Sequence, residues 1–264
     1  MRELLEPKRI SVIIRSRHGG AERLKPCVET LKAQTSYPNY DVVIVQADKK
    51  FPEVATRFSH RLLYLSDTAD DSTAKNQAVE QTDCPWLLFL DDGIEVIEPD
   101  WLTIMAEHIQ RPEVGAVGAR LLNPSGVVEH AGIVVGANNI AQPAYRGFPA
   151  EHAGANRQLQ LTRNRSAVSS ACILTRREIF QEVGGFDANL SGALADVDLC
   201  LKIRRAGYLI VYTPFAKLYC HDAPGKVDMA GQGIMEQRWA GVLHGDPYYN
   251  PNLSRERADF SLGK

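Results

Sequence analysis

The sequence predicts an α/β protein built on a mostly parallel sheet flanked by helices, and three observations carry that expectation. Short apolar runs alternate with stretches of helical periodicity across roughly the first 90 residues, as in successive βαβ units. One run, Trp86-Leu87-Leu88-Phe89-Leu90, is apolar throughout and too short for a helix, which suits a strand covered on both faces. That run ends in Asp91-Asp92-Gly93, so it would carry two carboxylates to the carboxyl edge of the sheet, where open α/β folds place their ligands. Adjacent carboxylates repel unless a cation or a proton sits between them. A hard divalent metal carrying a phosphate would satisfy such a pair, and a solvated turn is the alternative, because Asp and Gly are ordinary turn formers.

The elements follow in order. Ile10 to Arg15 reads as a first strand, after which a polar turn leads into a helix with Leu24, Cys27, Val28 and Leu31 on one face, ending before Pro38. Asp41 to Val45 and Arg61 to Leu65 are the second and third strands, and Asp71 to Gln81 is a helix with Ala74, Ala78 and Val79 inward. After the acids, Ile94 to Ile97 is short and extended, and Pro99 opens a helix through Trp101, Leu102, Met105 and Ile109. Val114 to Leu122 and Val127 to Val135 flank the turn Asn123-Pro-Ser-Gly126, which predicts an antiparallel hairpin. Residues 136–164 lack apolar periodicity and read as a long functional or mobile loop. Ser166 to Thr175 is a strand of small residues, Arg176 to Val183 a helix stopped by Gly184-Gly185, and Asp196-Val-Asp198 the opening of a further helix. Tyr208 to Thr213 and Ala216 to Cys220 close the sheet on either side of Pro214, ahead of a helix through Trp239 and a tail from Asp246.

Whole-chain properties narrow the function classes. With 264 residues the chain can bury a substantial core, and its net charge of −2 gives no reason to expect nucleic acid as a partner. The five cysteines, Cys27, Cys84, Cys172, Cys200 and Cys220, are odd in number and contain no CxxC pair. They argue for reduced thiols in the cytoplasm and against a zinc site or a disulfide framework. Met1-Arg-Glu-Leu-Leu-Glu6 has no apolar signal core, and no run is long enough to cross a bilayer. No GxGxxG or GxxxxGK[ST] loop follows the first strand, which removes dinucleotide folds and P-loop NTPases from the front rank.

With the acids at 91 and 92, Gly-Gly-Phe-Asp at 184–187 and Asp196-Val-Asp-Leu-Cys-Leu201, the chain resembles the family 2 glycosyltransferases of the GT-A fold. It is most similar to bacterial members that build O-antigen, capsule and rhamnose-containing polysaccharides. Arg111-Pro-Glu-Val-Gly-Ala-Val-Gly118, Glu129-His-Ala-Gly132, Tyr145-Arg-Gly-Phe148 and Asp246-Pro-Tyr-Tyr-Asn-Pro-Asn-Leu253 extend the likeness. The resemblance implies one domain over residues 1–264, with a nucleotide-binding half to about 97 and an acceptor half and C-terminal tail from about 98. It further implies a small antiparallel element on the acceptor side.

What the resemblance implies chemically is inverting transfer of a sugar from a nucleotide-diphosphate donor, a UDP or dTDP sugar, to a hydroxyl of a growing glycan or lipid-linked glycan. Such transfer needs charge neutralisation at the departing diphosphate, a base on the acceptor oxygen and alignment of the two. Asp196 matches the family's base, although Ala195 stands where the family carries Glu or Asn; plain helix capping is the alternative role. Asp198 would support the fold or orient the acceptor. Asp91 falls in the donor site and Asp92 on the metal, Mn2+ or Mg2+, with Gly93 where the family's last acid is expected. His221 is the candidate second metal ligand, preceded by Cys220 where the family often has another His. Ser16 and Arg17 after the first strand, Gln46 after the second, and Lys75 and Asn76 on the helix before the acids complete the nucleotide side. Arg146 and Arg163 are candidates for the diphosphate or an anionic acceptor, and Trp239 for a sugar or the core.

Two functional classes follow. The first is an active transferase in the cytoplasm, for which peripheral attachment at the inner face of the membrane or association with a partner transferase is open. The second is a catalytically degenerate relative that binds sugar nucleotide or a partner enzyme, favoured by the departures at Gln46, Gly93, Ala195 and Cys220. A nucleotidyltransferase is disfavoured, because its glycine-rich, arginine-bearing opening loop is missing.

Overall fold

The computed structural model describes residues 4–16, 21–46, 61–64, 70–221 and 229–263. Its first half alternates as expected: β1 (Ile10–Ser16), α1 (Ala21–Ala33), β2 (Tyr40–Gln46), β3 (Arg61–Tyr64), α2 (Asp71–Glu80) and β4 (Trp86–Asp91). β5 (Ile94–Val96), α3 (Trp101–Ile109), β6 (Val114–Leu122), β7 (Val128–His130), β8 (Ile133–Val135) and β9 (Ala141–Pro143) follow. The chain then forms β10 (Arg163–Arg165), β11 (Cys172–Arg176), α4 (Arg177–Glu182), α5 (Gly192–Arg205), β12 (Leu209–Cys220) and α6 (Met229–His244).

One sheet runs through both halves in the order β10-β12-β6-β11-β4-β1-β2-β3, with β5 beside β12 and β7 beside β6. β3, β2, β1 and β4 are mutually parallel, while β11 enters antiparallel between β4 and β6. The register puts Ser16 opposite Gln46 and Arg15 opposite Asp91, so three strands end together at one carboxyl edge. Two apolar layers cover the sheet. Leu24, Val28 and Leu31 of α1 pack on one face with Trp101 and Met105 of α3; Ala74 and Ala78 of α2 pack on the other with Leu199, Ile203 and Met235. All five cysteines are free and buried, and Cys27, Cys172, Cys200 and Cys220 belong to these layers.

Several expectations are corrected. The hairpin after β6 holds only near its turn, because the chain leaves the sheet at Gly132 (φ +85) and residues 133–135 pair with β9 instead. Residues 136–164, expected as a loop, are folded around the buried Tyr145. Its ring stacks on Phe260 at 4.9 Å, and its hydroxyl accepts from the Ala155 N–H at 2.9 Å. The tail from Asp246 acts as a clasp for this segment. Asp246 accepts from the Val135 N–H (2.9 Å) and the Ser166 hydroxyl (2.6 Å), and the Tyr249 hydroxyl donates to Ser254 O (2.7 Å). The strand expected from Ser166 begins only at Cys172, and the helix expected at Asp196 begins at Gly192. Residues 209–220 form one strand with a register shift between Tyr212 and Lys217, in place of two strands flanking Pro214.

Candidate active site

Asp91 and Asp92 part company at the end of β4. Asp91 is the last residue of β4 and Asp92 the first of the turn that follows it, and each acid lies beside a different cation. The Asp91 carboxylate lies 3.9 Å from Lys75 Nζ on α2, and the Asp92 carboxylate 3.9 Å from Arg23 Nε on α1. Positive charge beside each acid eases the repulsion between these neighbouring carboxylates.

On the α2 face the site closes around residues 169–171, which the sequence reading placed inside a strand and overlooked. Asp196 is 7% exposed and its Oδ2 accepts two hydrogen bonds, from the Ser170 N–H at 2.9 Å and the Ser169 hydroxyl at 3.2 Å. Lys75 Nζ donates to Ser170 Oγ at 2.7 Å, and the Asp91 N–H donates to Ala171 O at 3.1 Å. Asp91, Lys75 and Asp196 are thus fastened to one tripeptide. Asp196 sits on the fifth residue of α5, whose N-cap is Ser191. It is no helix cap, and its carboxylate is held by the 169–170 segment of the chain. The pair of serines carried no sequence signal beyond lying just before β11, because one of the two contacts comes from a backbone N–H.

Asn76, expected at the nucleotide, clamps the turn Gly184-Gly-Phe-Asp187 instead. Its Nδ2 donates to Phe186 O at 2.8 Å, and its Oδ1 accepts from the Phe186 N–H at 3.0 Å, so both ends of the amide are engaged. Gly185 fits there for two reasons: its φ is +64, and a Cβ would stand 2.7 Å from Asn76 Oδ1. The same turn is tied to α6 through Arg238, which pairs with Asp187 at 2.9 Å and with Asp198 at 2.8 Å. Arg238 holds the Asp187 carboxyl below its ordinary range, after the stronger effect of the Asn189 N–H. Asp198 is fully buried beneath Arg238, Lys202 (3.0 Å) and the Trp239 indole N–H (2.9 Å), which assigns it the fold-supporting role and puts Trp239 in the core.

At the carboxyl edge of the sheet, Ser16 and Gln46 are buried at the ends of β1 and β2. Neither Oε1 nor Nε2 of Gln46 has a hydrogen-bond partner among the described residues, an arrangement that costs free energy until a ligand or water supplies one. Arg17 lies outside the described residues. Arg146 is paired with Glu129 at 3.0 Å, and Arg163 sits on β10 opposite Tyr212.

On the α1 face, Asp92, Gly93 and His221 line a cleft of about 370 Å³ together with Glu22, Arg23, Pro26 and Glu95. The His221 N–H donates to Gly93 O at 3.0 Å, and its Nε2 lies 3.0 Å from Glu95 Oε1. Among the described residues no three His, Cys, Asp or Glu side chains gather closely enough to hold a metal ion. The donors that line this cleft, the carboxylates of Glu22, Asp92 and Glu95 and the imidazole of His221, do not gather into a closed protein cage. They do fit a divalent ion that takes its remaining ligands from phosphate and water, the usual habit of Mg2+.

The comparisons with known proteins agree with this architecture. The family model for glycosyl transferase family 2 matches residues 11–184, more than half of the chain, and the chain belongs to that family. It is 35% identical to the O-antigen biosynthesis protein RfbC of Myxococcus xanthus, over 90% of this chain and 20% of that protein. It is 29% identical to an N-acetylglucosaminyl-diphospho-decaprenol L-rhamnosyltransferase of Mycobacterium tuberculosis, over 67% of this chain and 62% of that one. The chain therefore spans only part of each of these relatives. Among solved structures, the mannosyltransferase PcManGT of Pyrobaculum calidifontis, in complex with GDP-Man and Mn2+, superposes with a TM-score of 0.62. That match is 15% identical and covers 93% of this chain and 72% of the other, so the two share the GT-A fold. No helix among the described residues is long and apolar enough to cross a membrane.

Proposed function

We propose that this domain transfers a sugar from a UDP or dTDP sugar to a hydroxyl of a lipid-linked or growing surface glycan, with inversion, at the cytoplasmic face of the membrane. The observation that carries the reading is the seating of Asp91 and Asp196 on one tripeptide, although they lie more than a hundred positions apart in the chain. Ser16, Gln46 and Asp91 line the donor side, and the Gln46 amide, without a hydrogen-bond partner among the described residues, supports a role for it on the edge of a pyrimidine base. Asp196 is the base. With Oδ2 held by two donors, Oδ1 is the oxygen that takes the acceptor proton. As the acceptor oxygen bonds to the anomeric carbon, the bond from that carbon to the diphosphate breaks, and its electron pair leaves on the nucleoside diphosphate. Asp92 and His221 would hold Mn2+ or Mg2+, whose contribution is to neutralise charge on the leaving diphosphate. Lys75 adds a positive charge beside Asp91.

The test is a thermal-shift screen of UDP-N-acetylglucosamine, UDP-glucose and dTDP-L-rhamnose with and without Mn2+, followed by transfer assays on a panel of lipid-linked acceptors. A donor at a hundredfold its Kd contributes about 2.7 kcal/mol, roughly 5 °C for a chain of this size. Asp196→Asn is expected to abolish transfer and to leave donor affinity nearly intact, and full turnover by that variant refutes the assigned base. The departures at Gly93, Ala195 and Cys220 favour a second reading, a binding protein without turnover. A donor-induced shift with no product on any acceptor would select it.

A further inference from the structure

The two serines ahead of β11 have a directional arrangement. Ser169 Oγ accepts from the Ala171 N–H at 3.2 Å, which leaves its single proton for Asp196 Oδ2, also at 3.2 Å. Ser170 divides its polar groups between the two sides of the site: its N–H goes to Asp196 at 2.9 Å, and its Oγ accepts from Lys75 at 2.7 Å. Ala171 O then receives the N–H of Asp91 at 3.1 Å. Three consecutive residues therefore fix the end of the donor strand, the lysine beside it and one oxygen of the base. Ser170 and Ala171 are nearly fully buried, and Thr175 further along the same segment donates to Gly115 O at 2.7 Å, so the seat rests on the rigid centre of the sheet.

We propose that Ser169 is a positioning residue that aims Asp196 Oδ1 at the acceptor hydroxyl, and that Ser170 couples this aim to the donor side through Lys75. This inference rests on Asp196 being the base. A carboxylate with one oxygen held by a single backbone N–H can rotate about χ2, whereas two donors on the same oxygen fix the plane of the group. A misdirected base slows the chemical step without weakening donor binding, because alignment contributes only as the reacting atoms meet. Loss of the Ser170 hydroxyl releases Lys75 and acts on the donor side, while its backbone N–H still holds Asp196.

The experiment measures release of dTDP from dTDP-L-rhamnose and of UDP from UDP-N-acetylglucosamine, with N-acetylglucosaminyl-diphospho-polyprenol as acceptor. Ser169→Ala is expected to lower kcat roughly tenfold, the size of one lost hydrogen bond to a charged group, with donor KM within about twofold of the parent. Ser169→Thr, which keeps the hydroxyl, is expected to recover most of kcat. Ser170→Ala is expected to raise donor KM several-fold with a smaller change in kcat. Wild-type kcat in Ser169→Ala, equal losses in the Ala and Thr variants, or an unchanged donor KM in Ser170→Ala overturns the inference. Asp196→Asn, run in parallel, separates the two levels. Retained turnover there removes the base itself, while an inactive Asp196→Asn beside a fully active Ser169→Ala removes only the positioning role.

Discussion

Asp198→Ala tests whether α6 is held to α5 by a buried ionic cluster. The Asp198 carboxylate is fully buried and gathers the Arg238 guanidinium at 2.8 Å, the Lys202 ammonium at 3.0 Å and the Trp239 indole N–H at 2.9 Å. Removing the shared anion leaves two cations facing each other across an apolar interface, and breaking such a buried pair costs about 3–5 kcal/mol. Arg238 keeps a third of its side chain in solvent and a second partner in Asp187, which favours the lower figure of about 3 kcal/mol. With an unfolding entropy near 0.55 kcal/mol/K for a chain of this length, that corresponds to a melting point roughly 5 °C lower. Urea unfolding at neutral pH measures the loss directly. A double-mutant cycle with Arg238→Met then isolates the pair, since Arg238→Met should cost less in the Asp198→Ala background than in the parent. A loss below about 1 kcal/mol, or equal costs of Arg238→Met in both backgrounds, would refute the assignment of Asp198 as the anchor.

Two further outcomes follow from the same network and its surroundings. Asn76→Ala removes both hydrogen bonds to the Phe186 backbone and is expected to destabilise by about 1–3 kcal/mol. Gly185→Ala should be at least as damaging, because its φ is +64 and its Cβ meets Asn76 Oδ1 at 2.7 Å; urea midpoints matching the parent would count against the clamp. Burial pushes the pKa of His130 down from 6.5 to about 4, and its Nδ1 is enclosed without a hydrogen-bond partner among the described residues. Between those values the unfolded chain binds a proton that the folded chain does not. The contribution of His130 to stability is therefore intact above pH 6.5 and is lost as pH falls towards 4. His130→Gln should flatten that part of the stability profile measured by urea unfolding from pH 4.5 to 7.5, and parallel profiles would refute the assignment.

The sequence yielded most of the fold because strand and helix leave different apolar periods in it. β1, β2, β4 and α2 fell within a residue or so of their observed bounds, each having an uninterrupted apolar run or a clear inner stripe. Where the reading failed, the stabilising contacts were distant in sequence. Residues 136–164 carry no period of their own, yet they are ordered by Tyr145 stacking on Phe260 and by the Asp246 clasp, contacts supplied by the tail. Small residues suit a strand and a tight irregular segment equally, so residues 166–171 read as strand although β11 begins at Cys172. Gly192, at φ +52, resembles a breaker more than an opening residue, so the helix bearing Asp196 begins earlier than its sequence suggests.

The candidate site was legible as a set of acids and illegible as an arrangement. Carboxylates at the end of an apolar strand announce themselves by residue type, whereas the seat that holds Asp196 is made from a backbone N–H and a serine hydroxyl, neither of which has a compositional signature. The pairing of Asp91 with Asp92 shows the difference. Adjacent in sequence, they suggest one shared ion, but the strand ends at Asp91 and turns at Asp92, leaving Lys75 beside one and Arg23 beside the other. Distance along the chain misleads in the other direction as well, since Asp196 comes to the same tripeptide as Asp91 through the antiparallel pairing of β11 with β4. Strand order is what brings these acids together: had β11 been placed at the edge of the sheet, the same residues would have made no site.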